Sequence, residues 1–138
     1  MLVGDGPLYG DLRARAKTSE VLFARRRVLD GPGFFGRVDV FALHSSTELV
    51  PVSLVEALSC GRASTVADPG GVARLVGEDV ALFTRPGDVD AVVAALDRLD
   101  DPTFRRELGQ DARKRALERH SLGRLRAELR EAYAEPVT

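Results

Sequence analysis

The sequence predicts an α/β fold, a parallel sheet of four or five strands with helices on both faces and two further helices at the C-terminal end. Three observations carry this expectation. Short apolar runs of strand length, at 39–44, 63–67 and 81–84, alternate with segments whose apolar residues recur at helical spacing. The junctions are spelled in turn chemistry: Gly4-Asp5-Gly6-Pro7, Asp68-Pro69-Gly70-Gly71 and Arg85-Pro86-Gly87-Asp88. Neither an internal repeat nor a low-complexity linker interrupts the alternation.

Met1-Leu2-Val3 reads as the end of a strand and the Gly4–Pro7 stretch as the turn leaving it. Leu8, Leu12 and Ala16 then share one helical face. A second strand is expected at 21–23, followed by the basic run Arg25-Arg26-Arg27, and Asp30-Gly31-Pro32-Gly33 reads as a turn. A strand at 39–44 leads through a polar cluster to Pro51, which suits the first helical position because its missing N–H is not needed there. Val52, Leu54, Val55 and Leu58 continue that helix, and Gly61 ends it. Further on come a strand at 63–67, a helix at 72–76, a strand at 81–84 and a helix at 89–99 with Asp88 as its N-cap. Asp101-Pro102 starts another helix, and Ser121 caps the last, both arginine-rich and amphipathic in the manner of surface packing helices.

At 138 residues and 44% hydrophobic content, the chain is expected to form a single domain over 1–138 with a substantial core. Twenty Lys and Arg against 21 Asp and Glu leave a net charge of −1, which argues against nucleic acid or an anionic membrane as a partner. The one cysteine, Cys60, excludes an internal disulfide and fits a reducing cytoplasm; at an apolar helix end it reads as a small buried residue. Neither an apolar run long enough to span a bilayer nor a signal peptide is present, so a cytoplasmic location is expected. Asp88-Val89-Asp90 spells a metal motif, but it opens a helix and reads as capping; no metal site is expected.

The most informative stretch is Ser45 to Gly61, a loop and helix at the carboxyl end of a strand, where open α/β sheets bind ligands. Free N–H groups at the helix start favour an anion. Glu48 in the loop and Glu56 on the helix are carboxylates suited to accept vicinal hydroxyls of a sugar or a ribose. Spacing alone equally allows Glu48 to be a solvated loop residue and Glu56 a helix-surface residue.

Order and context add to this. Glu48 to Gly61 spells E-x-x-P-x-x-L-x-E-A-x-x-x-G, with Glu48 and Glu56 as its E-x7-E pair. Together with the GDGP turn before it and the GG-V and PGD turns after it, this stretch resembles the donor-binding domain of retaining glycosyltransferases of the GT-B fold, family 4. The resemblance covers nearly the whole chain. It implies a Rossmann-like half-domain that binds a nucleoside-diphosphate sugar as donor substrate, needs no separate cofactor or catalytic metal, and transfers the sugar with retention. By the same resemblance Glu48 would hold donor-sugar hydroxyls and stabilise charge on the sugar, and Glu56 would accept from the ribose. Backbone amides around Leu49, Val50 and Val52 would meet the diphosphate. Gly4, Asp5 and Gly6 would line the cleft floor, Arg25 would lie beside the base, and Gly70 and Gly71 would form the facing turn.

Leu49 stands where the family usually has a small residue, and His44 where a proline is common. The family's acceptor-binding domain and its diphosphate-neutralising Arg and Lys are expected before Met1, so the chain is expected to be a fragment or a split subunit, inactive alone. It would need an acceptor-binding partner or self-association. The alternative is a non-catalytic module that binds a nucleotide sugar or another protein.

Overall fold

The computed structural model describes residues 1–16, 20–25, 31–49 and 51–134. The chain divides into two compact units, Met1–Gly31 and Pro32–Thr138.

In the first unit β1 (Leu2–Val3) pairs in parallel with β2 (Phe23–Ala24), Leu2 opposite Phe23. Leu2 N–H donates to the Leu22 carbonyl at 2.7 Å and Gly4 N–H to that of Ala24 at 2.9 Å. The second strand therefore lies slightly later than the apolar run at 21–23, because strand pairing rather than hydrophobicity sets its limits. Gly4 leaves β1 at φ +142°, a conformation open to glycine, and α1 (Tyr9–Arg15) comes next. The Tyr9 ring meets Phe23 edge-on at 5.8 Å.

The second unit holds α2 (Gly31–Phe35, opening at the boundary), β3 (Val40–Leu43), α3 (Val52–Ser59), β4 (Ala63–Ala67), α4 (Val72–Val76), β5 (Leu82–Thr84), α5 (Val89–Asp100), α6 (Pro102–Arg119) and α7 (Leu122–Ala134). Its strands form a parallel sheet in the order β3-β4-β5, with Leu43 beside Val66 and Val66 beside Phe83. The expected α/β class and parallel pairing hold. The five strands lie in two sheets, of two and three strands, among the described residues.

Side-chain alternation along β4 divides the core. Val66, with Phe41, Leu43 and Phe83 beside it, packs against Leu54 and Leu58 of α3, Val72 and Val76 of α4, and Ala112 and Ala116 of α6. Ala63, three residues earlier and so on the other face of the strand, packs with Val40 and Leu82 against Leu99 of α5 and Leu108 of α6. The two clusters occupy opposite faces, so helices cover both sides of this sheet. Leu54, Leu58 and Val66 are wholly buried.

Two expectations change here. Gly31-Pro32-Gly33 is not a turn but the first part of α2, and Gly36 N–H donates to the Pro32 carbonyl at 2.9 Å; Asp30 lies outside the described residues. Proline and glycine tolerate a helix's first turn, and packing of Phe35 on Phe41, ring centres 5.6 Å apart, holds the segment. Nor is α6 a peripheral helix. It crosses the amino end of β4 so closely that a Cβ on Gly109 would lie 2.4 Å from the Gly61 carbonyl oxygen. Its arginines reach the C-terminal carbonyls of three other helices: Arg113 donates to Ser59 of α3, Arg115 to Val76 of α4 at 3.4 Å and Arg105 to Leu99 of α5 at 2.7 Å. These carbonyls carry each helix's negative end and lack intrahelical partners. By contrast α7 has no buried residue.

Candidate functional site

The carboxyl ends of β3, β4 and β5 lead into His44, Asp68 and Arg85. Asp68 organises the turn between β4 and α4. Its Oδ1 accepts from the amides of Gly70 at 2.8 Å, Gly71 at 2.7 Å and Val72 at 3.0 Å, and its Oδ2 from Ala73 at 3.2 Å. Amide donors favour the charged carboxylate, led by Gly71 and Gly70, and lower its pKa from 3.8 to about 2. Gly70 and Gly71 sit at φ +133° and +142°, which lets the turn fold back over the carboxylate. In sequence, Asp68-Pro69-Gly70-Gly71 reads only as a turn. The signal that points further is the spacing, an acidic residue three to five positions ahead of a helix's first amides.

Beside this turn lies a cleft of about 400 Å³ lined by Glu48, Leu49, Gly70, Gly71, Arg74 and Leu75, among others. The fold thus brings together four of the residues singled out from the sequence: Glu48, Leu49, Gly70 and Gly71. It adds a cationic lining residue, Arg74, which no sequence motif marks as part of a site. The amides of Gly70 and Gly71 are engaged by Asp68, so they line the cleft without offering free donors to it. Leu49 is 89% exposed and stands at the rim.

Three residues beyond Leu49, α3 begins at Val52, one position later than expected, with Pro51 as its N-cap. The Pro51 carbonyl accepts from Leu54 at 3.0 Å and Val55 at 3.2 Å. The amides of Val52 and Ser53 meet no acceptor among the described residues. The starts of α4, α5, α6 and α7 are instead served by Asp68, by Asp88 (to Ala91 N–H, 3.0 Å), by Asp101 (to Thr103 N–H, 2.8 Å) and by Ser121 (to Arg124 N–H, 3.3 Å). The expected caps Asp88 and Ser121 are therefore present, and α3 alone of these five has no side-chain oxygen accepting from its first amides among the described residues. Glu56 is exposed one turn into α3, on the same face as Val52 and away from buried Leu54, Ala57 and Leu58. That puts its Cα about 6 Å along the axis from Val52, with the side chain leaning toward the helix start. Val52 and Glu56 do not line the cleft, and Val50 lies outside the described residues.

His44, at the end of β3, has Nδ1 3.5 Å from Thr84 Oγ1 at the end of β5, and desolvation pushes its pKa down. Cys60, expected to be buried, is partly exposed at the C-cap of α3. In the first unit, Gly4 and Gly6 line a small apolar pocket of about 280 Å³, Asp5 is exposed, and the Arg25 guanidinium lies 4.2 Å from the centre of the Tyr9 ring.

Known proteins share both sequence and fold with this chain. A UDP-Gal:alpha-D-GlcNAc-diphosphoundecaprenol alpha-1,3-galactosyltransferase of Escherichia coli is 27% identical over 142 residues, covering 99% of this chain and 37% of the relative. The sucrose-phosphate synthase of Thermosynechococcus elongatus superposes with a TM-score of 0.83 at 22% identity, over 96% of this chain and 37% of that one. The second match bears on fold and supports the Rossmann-like GT-B half-domain. The chain spans little more than a third of the length of each. The family model for glycosyl transferases group 1 matches residues 1–101, well over half of the sequence, and the chain belongs to that family.

Proposed function

We propose that this chain is the donor-binding part of a retaining glycosyltransferase of the family 4 type, holding a nucleoside-diphosphate sugar in the cleft beside α3. One observation carries the reading: Glu48, the Gly70–Gly71 turn and Arg74 line one cleft, next in the chain to the one helix start from α3 onward whose first amides meet no side-chain oxygen among the described residues. In this reading the diphosphate meets the free amides of Val52 and Ser53 and the charge of Arg74, an arrangement suited to an anion. Glu48 accepts hydroxyls of the transferred sugar, and Glu56, one turn further, accepts from the ribose. In transfer the bond from the sugar's anomeric carbon to the diphosphate oxygen breaks, a bond to the acceptor oxygen forms on the same face, the acceptor hydroxyl's proton passes to the departing diphosphate oxygen, and the nucleoside diphosphate leaves. Glu48 would stabilise positive charge developing on the sugar, and the amides and Arg74 the negative charge on the leaving group.

The relatives are nearly three times as long, so the acceptor side of the reaction is assigned to protein beyond these 138 residues. The chain alone is expected to bind donor without transferring sugar, because the nucleophile has no wall to position it.

Titrating UDP, GDP and ADP sugars into the labelled chain by NMR tests the reading. Shifts are expected at Glu48, Val52, Gly70 and Arg74. Glu56→Gln should weaken binding of the bare nucleotide by about 10-fold or more, the effect of losing one charge-assisted bond. Glu48→Gln should instead reduce discrimination between nucleotide sugar and nucleotide. No shift at millimolar ligand for any donor, or equal loss of nucleotide affinity in both variants, refutes it.

A further inference from the structure

At the opposite end of the sheet, where α6 crosses the start of β4, lies a second cleft of about 430 Å³ that the donor site does not use. Arg62, Arg105, Arg106 and Arg113 line it, with Asp39 as its carboxylate. About 13 Å of strand separates Ala63 at this cleft from Ala67, which leads to Asp68 and the donor cleft. Ligands of open α/β sheets gather at the carboxyl ends of strands, so donor binding does not account for four arginines at the amino end.

The cleft's charge has a partial structural explanation. The C-terminal ends of α3 and α5 point here, and Arg113 and Arg105 donate to their last carbonyls: Ser59 for the first, Leu99 at 2.7 Å and Asp100 at 3.1 Å for the second. Arg62 is held by the carbonyls of Cys60 at 3.1 Å and Val38 at 3.0 Å. Each helix end contributes about half a negative charge, and Asp39 one more. Asp101, next to the cleft, already caps α6 through Thr103 N–H at 2.8 Å and faces that helix's positive end. Four guanidinium charges set against these leave about two positive charges unbalanced. None of the four arginines has a carboxylate within ion-pair distance among the described residues, where the ion pair formed is Arg124–Glu128.

The guanidiniums are also prepared for a ligand. Arg62, Arg105 and Arg113 are fixed by main-chain carbonyls yet keep unused N–H groups, since each guanidinium carries five donors. Little side-chain entropy remains to be lost on binding. Arg106 has no hydrogen-bond or ion-pair partner among the described residues and can close on an occupant. We propose that this cleft binds a phosphate-class dianion, whose charge matches the unbalanced two and whose oxygens suit forked guanidinium donors. Such an anion would tie α6 to the ends of α3 and α5 from outside. The source could be a free phosphate compound or the phosphomonoester headgroup of a lipid such as phosphatidic acid, which present the same dianionic chemistry here.

The test is an NMR titration of the whole chain with sodium phosphate against sodium chloride at equal ionic strength, in wild type and in Arg106→Glu. Arg106 makes no contact that the fold depends on, so the variant should remain folded, and its spectrum shows that directly. Phosphate-specific shifts at Gly61, Arg62 and Gly109 are expected, and Arg106→Glu should weaken binding by about 10-fold or more, as for loss of one charged hydrogen bond. Shifts reproduced by chloride, or phosphate binding unchanged in Arg106→Glu, overturn the proposal. Co-sedimentation with phosphatidylcholine vesicles carrying phosphatidic acid, a lipid phosphomonoester, identifies the source. Capture competed by free phosphate and lost in Arg106→Glu supports the cleft with a lipid headgroup as occupant. Absence of capture together with phosphate binding supports it with a soluble occupant, and capture without any phosphate binding refutes it in favour of a diffuse charged surface.

Discussion

Removing the Asp68 carboxylate tests what organises the turn that lines the proposed donor cleft. Its two oxygens take four consecutive amides, and this environment lowers its pKa from 3.8 to about 2. With solvent screening of a partly exposed carboxylate, a shift of that size corresponds to about 1–2 kcal/mol, the range of a strong N-cap. Asp68→Ala should lose all of this, lowering the melting temperature by roughly 3–8 °C. Asp68→Asn keeps a carbonyl acceptor without the charge and should lose about half. The sign of the pH dependence comes from linkage. The folded pKa lies below the unfolded one, so the contribution is complete above pH 3.8 and fades as pH falls toward about 2. Urea unfolding of wild type and Asp68→Ala at pH 7, 5, 4 and 3 reads this directly. The stability gap should hold from pH 7 to 5 and shrink to about half by pH 3. Because the turn also lines the cleft with Glu48, the proposed donor binding there predicts that affinity for a nucleotide sugar falls in Asp68→Ala more than in Asp68→Asn. A gap that is zero at pH 7, or equally large at pH 3, would show that the carboxylate does not organise the turn.

Other substitutions probe the core and the packing of α6. Thr65 is fully buried in β4 and its hydroxyl meets no hydrogen-bond partner among the described residues, so Thr65→Val, keeping the branched shape, should stabilise by about 1 kcal/mol in urea unfolding; destabilisation would mean the hydroxyl is satisfied. Gly109→Ala places a Cβ 2.4 Å from the Gly61 carbonyl oxygen, so despite a gain in helix propensity of about 1 kcal/mol it should destabilise by about 1–3 kcal/mol, as overpacking does; a more stable variant would contradict the close crossing. Burial, and then the charges of Arg115 and Arg119, lower the pKa of His120 below 6.5. The unfolded chain therefore binds that proton more readily, and stability should be complete above pH 6.5 and decline below it, a decline that His120→Gln should flatten in thermal melts from pH 7.5 to 5.

Local chemistry was enough to write several elements into the sequence. Ala63–Ala67 and Val72–Val76 lie where pattern and punctuation put them, and Asp88 and Ser121 cap as their positions imply. Such features depend on residues a few positions apart, and a capping oxygen finds its amide without help from the rest of the chain. The loop that carries Glu48 and the helix that carries Glu56 were legible for the same reason, as a proline-led helix after a strand. What no local rule could supply was the company these residues keep. Gly31–Phe35 is helical with Phe35 packed on Phe41, a contact made only once β3 is in place. Arg74 joins Glu48 in one cleft because β3 and β4 pair in parallel and bring α4 beside the loop after β3. The arginines of α6, which the sequence places on an amphipathic surface packing helix, meet the carbonyl ends of α3, α4 and α5 because two glycines, Gly61 and Gly109, let α6 cross the end of the sheet. Propensity and capping act over one or two turns, whereas the pairing of charges with distant helix ends is decided by which faces pack together, and that depends on the whole set of buried side chains at once.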